Sequence, residues 1–149
     1  MKCVLLAGGL GTRLSEETNT IPKPMVEIGG KPILWHIMKH YSVHGINEFI
    51  ICAGYKSNII KDYFLNYKTN NSSIHIDLKT NSIEFDVNHS ENWKVSIIDT
   101  GLNTNTGGRL KLIKDYIPEE EFLMTYGDGV GNIDIKELIN FHFNHKKLV

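Results

Sequence analysis

Arg13 and Lys23 stand just behind a turn containing Gly8, Gly9 and Gly11, a combination suited to holding a polyanion. The glycines leave backbone N–H groups unobstructed and able to converge on phosphate oxygens. Arg13, after Thr12, adds a planar, permanently charged fork; Lys23, between Pro22 and Pro24, adds a mobile point charge on a restrained backbone. Far along the chain, Asp128 lies between Gly127 and Gly129, directly behind an apolar run. A carboxylate so placed suits magnesium, which takes carboxylate, water and phosphate oxygens together. Thr106-Gly107-Gly108-Arg109, with Thr104 just ahead, reads as a glycine-opened helix start carrying a guanidinium, an arrangement friendly to anions.

Two common glycine loops do not fit. A P-loop ends in Gly-Lys-Ser/Thr, whereas Gly11 is followed by Thr12 and Arg13; the dinucleotide fingerprint matches Gly9 and Gly11 but meets Leu14 at its third glycine. There is no nucleophile-elbow motif, which fits chemistry by direct displacement without proving it. His36, His40 and His44 align at intervals of four on one helix face. Without a cysteine or acidic partner in the run they read as a solvated or subunit-facing row, since zinc needs three or four ligands. Trp35 and Trp93 read as core or interface residues.

The elements that must position these groups follow from periodicity. Cys3 to Leu6 is a short apolar strand entering the glycine turn, and Met25 to Ile28 is an extended piece closed by Gly29-Gly30. Leu34, Ile37, Met38 and Tyr41 mark an amphipathic helix that opens at Pro32 and ends at Gly45. Phe49 to Cys52 is continuously apolar, as a strand buried on both faces is. Ile60, Tyr63, Phe64 and Tyr67 predict a helix over 58–67. Ile74, Ile76 and Leu78, then Ile83, Phe85 and Val87, alternate with polar residues and predict a hairpin with one exposed face. Val95 to Ile98 is a strand, 109–116 a helix introduced by Gly107 and Gly108, and Phe122 to Thr125 a central strand. Ile135, Leu138, Ile139 and Phe143 begin a last helix. This alternation predicts an α/β fold with a doubly wound, mostly parallel sheet. Ligands of such sheets sit at the carboxyl ends of the strands, where Gly8 to Arg13, Thr104 to Arg109 and Asp128 all fall.

The 149 residues carry 16 Lys and Arg against 17 Asp and Glu, a net charge of -1, which provides no basic surplus for a nucleic-acid partner. Cys3 and Cys52 lie singly inside apolar runs and read as buried thiols of a reducing, cytoplasmic compartment. The first apolar run meets its glycine turn too early for a signal peptide or membrane span, so no membrane partner is expected.

Leu-Ala-Gly-Gly-x-Gly-Thr-Arg-Leu at 6–14 followed by Lys23-Pro24-Met25 resembles the signature of the sugar-phosphate nucleotidyltransferases. Further matching stretches are Ser15 to Thr18, Val26 to His36, Thr106 to Lys111 and Tyr126 to Val130. Glu16, where thymidylyl and uridylyl members usually carry proline, and the residue after Gly127-Asp128 place the resemblance in the cytidylyl branch acting on glucose 1-phosphate. That resemblance implies a Rossmann-like fold and Mg2+-dependent transfer from CTP to α-D-glucose 1-phosphate, giving CDP-glucose and pyrophosphate by in-line displacement at the α-phosphorus. It further implies nucleotide contacts from Leu6, Ala7, Gly8, Gly9, Leu10, Gly11, Thr12, Arg13, Lys23, Thr104, Thr106, Gly107, Gly108, Arg109 and Asp128. Within that set Arg13, Lys23 and Asp128 act at the reacting centre and Asp128 also holds the metal. A second metal aspartate and the sugar subsite lie later in the family's chains. Residues 1–149 are therefore expected to be the nucleotide-binding part, with a hairpin inserted near 74–88 and the last strands missing. Such a piece is expected to bind nucleotide, to be weakly active or inactive alone, and to find a partner copy in a homo-oligomer. The competing readings are a non-catalytic nucleotide-binding or subunit-interaction module, or a thymidylyl, uridylyl or guanylyl relative, including a molybdopterin-type guanylyltransferase.

Overall fold

A computed structural model describes residues 1–9, 20–86, 90–117, 121–145 and 147. Its centre is β1 (Cys3–Ala7), every residue of which is buried. A 3-10 turn over Lys23–Met25 leads into the small ribbon of β2 (Glu27–Ile28) and β3 (Lys31–Pro32). The chain continues through α1 (Ile33–Val43), β4 (Glu48–Ala53), α2 (Ser57–Leu65), α3 (Tyr67–Asn70), β5 (Ser73–Asp77) and β6 (Ser82–Asp86). It ends through β7 (Lys94–Asp99), α4 (Thr106–Leu112), a 3-10 turn at Lys114–Tyr116, β8 (Leu123–Tyr126) and α5 (Ile135–His145).

The sheet runs β7-β4-β1-β8, all parallel, with Ala7 opposite Ala53 on one side of β1 and Leu6 opposite Tyr126 on the other. Side chains of a strand alternate between faces, so β1 serves two cores. Cys3, Leu5 and Ala7 join Leu34, Ile37, Met38 and Tyr41 of α1, Ile60 of α2 and Ile135 of α5. Val4 and Leu6 join Ile50, Cys52 and Ile113, with Leu110 of α4 packed alongside. Helices thus cover both faces, and the whole predicted α1 stripe is buried. Strand order reverses beside β1: the chain steps outward to β4 and β7, then returns to pair β8 on the opposite side. In open α/β sheets the ligand crevice lies at such a reversal, here between the carboxyl ends of β1 and β8.

Several boundaries differ from expectation. β8 is an edge strand among the described residues, with Met124 46% and Tyr126 60% exposed, because only β1 pairs with it. The expected helix over 58–67 breaks at Asn66, whose side chain donates back to the Asp62 carbonyl. The helix expected over 109–116 starts earlier, at Thr106, because the Asn105 side chain caps the Gly108 N–H at 2.9 Å; Gly107 and Gly108 lie inside it. In the hairpin Ile74 faces Phe85 and Ile76 faces Ile83, yet Ile76 and Ile83 stay exposed, so its apolar side is largely uncovered too; Val87 lies outside the described residues.

Burial also fixes how the core responds to alkali. It pushes the Cys3 thiol from an ordinary 9.0 to about 12, against a lowering hydrogen bond from Tyr41. The folded chain keeps a proton that the unfolded chain releases near 9.0. This contribution is therefore fully present below pH 9.0 and is lost as pH rises toward about 12. Cys52, pushed up to about 11 by the same desolvation, adds to the effect. Urea denaturation across this range should show stability falling as pH rises above 9.0. Cys3→Ala should make that fall shallower; an unchanged slope would remove Cys3 from the account.

Candidate functional site

The crevice is built at the last residues of the strands. Gly127 N–H donates to the Leu6 carbonyl at 3.0 Å, tying β8 to β1. Tyr55 N–H reaches the Gly8 carbonyl at 3.3 Å, tying the β4 turn to β1. Thr100 donates to the Ala53 carbonyl from its amide at 2.8 Å and from its hydroxyl at 2.7 Å, tying β7 to β4.

Arg109 enters this seam from α4 and is 5% exposed. Its Nη1 donates to Thr100 Oγ1 at 2.6 Å, to the Gly101 carbonyl at 2.8 Å and to the Ala53 carbonyl at 3.3 Å. Its Nη2 donates to the Gly8 carbonyl at 2.9 Å and to the Leu102 carbonyl at 3.4 Å. Both terminal nitrogens thus serve the chain's own oxygens, and the guanidinium is turned into the seam. The fit leaves no room for side chains. A Cβ on Gly54 would lie 2.7 Å from the carbonyl oxygens of both Gly8 and Gly101.

On the other side of β1, Lys23 Nζ pairs with Asp128 Oδ2 at 2.8 Å, the side chains being 32% and 36% exposed. Packing brings them together. Pro24 is buried, and a Cβ on Gly127 would lie 3.2 Å from the Leu6 carbonyl and 3.4 Å from Pro24 Cγ, so Gly127 sits flush against both. A half-exposed ion pair of this kind contributes little to stability, and both charges remain in contact with solvent. Asp128 is the candidate metal ligand. No three His, Cys, Asp or Glu side chains converge on a metal position among the described residues. One carboxylate beside an open crevice fits a hard cation that draws its other oxygens from water and phosphate.

Of the residues singled out in sequence, Leu6, Ala7 and Gly8 are buried at the end of β1, and Gly9 is exposed. Leu10, Gly11, Thr12 and Arg13 lie outside the described residues. Thr106 and Gly107 are exposed in the first turn of α4. Thr104 is half-buried and packed at its start: a Cβ on Gly108 would stand 2.7 Å from Thr104 Cγ2. A Cβ on Gly129 would meet nothing within 4 Å among the described residues, so their packing does not account for a glycine there. Sequence reasoning missed Gly54, Thr100 and Asn105. Ala53-Gly54 at the end of β4 repeats Ala7-Gly8 at the end of β1, the signal that could have exposed the first. The histidine row is corrected as well. His36 Nε2 contacts the Ile28 carbonyl and His40 Nε2 the Ile133 carbonyl, each at 2.8 Å, and His44 lies 3.6 Å from Asp134. They fasten the β2–β3 turn and the segment behind Asp128 onto α1. The Glu137 N–H is the main cause holding the Asp134 carboxyl below its ordinary value, with His44 contributing less.

Residues 2–149 match the model of the family described as nucleotidyl transferase. The chain belongs to that family. Among its relatives is the glucose-1-phosphate cytidylyltransferase of Salmonella typhimurium, 58% identical over 148 residues that cover 99% of this chain and 58% of that protein. The D-glycero-alpha-D-manno-heptose 1-phosphate guanylyltransferase of Campylobacter jejuni is 33% identical, over 93% of this chain and 52% of that one. Among solved structures, HddC of Yersinia pseudotuberculosis complexed with GMP-PN superposes with a TM-score of 0.71 at 31% identity, covering 96% of this chain and 54% of HddC. The chain thus spans 58% of the length of the Salmonella nucleotidyltransferase it matches.

The two halves of the site should answer differently to substitution. Lys23→Ala should change the free energy of unfolding by no more than about 1 kcal/mol, as befits an exposed pair. Gly54→Ala, which overpacks the seam, should cost about 1–3 kcal/mol. Urea denaturation checks both, and a larger loss for Lys23→Ala than for Gly54→Ala would make the ion pair structural.

Proposed function

We propose that residues 1–149 are the nucleotide-binding part of an enzyme that transfers a cytidylyl group from CTP to glucose 1-phosphate. The observation that carries this reading is the Lys23–Asp128 pair at the β1–β8 crevice, one charge for phosphate and one for a cation, beside the glycine turn of β1. The 58% identity to the Salmonella cytidylyltransferase supports CTP and glucose 1-phosphate over the guanylyl substrates named for more distant relatives. In the reaction a phosphate oxygen of the sugar phosphate forms a bond to the α-phosphorus of CTP as the bond to pyrophosphate breaks, giving CDP-glucose. Both reactants are anions, so the protein's task is to suppress repulsion, align the groups and exclude competing water.

Lys23 neutralises phosphate oxygens near the reacting centre, and Asp128 is the residue that would hold Mg2+. The ion, when bound, offsets charge on the phosphates. Arg13, with Gly11 and Thr12, is assigned to the triphosphate. Leu6 to Gly9 approach the nucleoside through their backbone, and Thr104, Thr106 and Gly107 border it from the α4 side. No described helix is long and apolar enough to cross a membrane. A cytoplasmic setting and a homo-oligomeric assembly belong to the same proposal.

Calorimetric titration with CTP, GTP and dTTP in the presence of Mg2+ tests it. CTP should bind saturably and tightest. Lys23→Ala should weaken it roughly tenfold to a hundredfold, since a hydrogen bond to a charged group contributes about 1.5–3 kcal/mol. Tighter binding of GTP would move the chain to the guanylyl relatives, and no binding of any nucleotide would overturn the proposal.

A further inference from the structure

Among the described residues, the buried guanidinium of Arg109 donates to neutral oxygens: the carbonyls of Gly8, Ala53, Gly101 and Leu102 and the hydroxyl of Thr100. Keeping a charge in such a place is costly unless every donor is matched, so the matching has structural consequences. One falls on Gly8. Its backbone is not in the left-handed region, so the conformation itself admits any residue. A Cβ there would nonetheless stand 2.0 Å from Arg109 Nη1 and 2.4 Å from Cζ. Glycine at 8 and arginine at 109 are therefore a matched pair.

The second consequence concerns direction. The Gly8 carbonyl and the Gly9 N–H belong to one planar trans peptide and point opposite ways. Arg109 Nη2 draws that carbonyl into the protein at 2.9 Å, which turns the Gly9 N–H outward. Gly9 is exposed there, and a Cβ on it would meet nothing within 4 Å among the described residues.

We propose that Arg109 is a positioning residue of the nucleotide site: by fixing the Gly8 carbonyl it aims the amide of the β1 turn at the bound nucleotide, without itself reading the base. This rests on the nucleotide-binding reading above. The role is independent of the base, because a main-chain donor held in place serves a cytidine and a uridine nucleotide alike.

A double-substitution cycle in the full chain tests it, with CTP and UTP titrated in Mg2+ against wild type, Arg109→Met, Gly8→Ala and the two combined. Each single change should weaken CTP and UTP by the same factor, about tenfold or more for the loss of a charge-assisted bond. The obstruction to a methyl at position 8 is the guanidinium itself, so the combined variant should be no weaker than the worse single one. Arg109→Lys keeps the charge and stem but lacks the fork, and should show the same base-independent loss; it replaces the Met variant if that one does not fold. A changed ratio of CTP to UTP affinity would mean that Arg109 reads the base directly. Losses that multiply in the combined variant would remove the coupling to Gly8. Lower thermal stability with unchanged affinity would leave Arg109 a structural residue only. Absence of nucleotide binding by the wild type would instead overturn the function proposal, and this inference with it.

Discussion

The Arg109 guanidinium holds the carboxyl ends of β1 and β4 and the turn behind β7 in one hydrogen-bonded seam. Parallel strands bring their ends to a common rim, but the rim is irregular backbone whose carbonyls need partners once they are buried. An arginine is suited to the task because one planar fork reaches several acceptors at fixed angles, which a lysine cannot do. The requirement then spreads outward: Gly8 and Gly54 must lack side chains, and Thr100 must supply a hydroxyl. The site owes its shape on this side to satisfying buried polar groups.

The opposite side of β1 follows a different logic. There the strand order reverses, and Gly127 rests on Leu6 and Pro24 between the ends of β1 and β8. Lys23 and Asp128 meet there as a solvent-touching pair. One flank of the β1 turn is thus rigid and neutral at its surface, while the other carries two exchangeable charges.

Much of this was legible in the chain. The α1 stripe, the continuously apolar β4, the alternating hairpin and the parallel order all follow from apolar periodicity along the chain. Lys23 and Asp128 were readable as ligand groups from type and flanking residues. The direction of Arg109 was not. Sequence places it at a helix start, but whether its fork faces solvent or the seam depends on carbonyls contributed by residues near 8, 53 and 101, which lie far apart in the chain. The same holds for His40 and His44, whose partners lie near 133. The edge position of β8 depends on pairing, which composition does not encode.

Hydrogen–deuterium exchange of the full chain, with and without CTP and Mg2+, tests the central claim that the strand-end crevice is the nucleotide site. Exchange should slow at the amides of Gly8, Gly9, Thr106, Gly107, Gly127 and Asp128. It should stay unchanged in the β5–β6 hairpin and along the groove of about 570 Å³ lined by Phe64, Tyr67 and Trp93. Protection confined to the hairpin or to that groove would contradict the account and move the ligand away from the ends of β1 and β8.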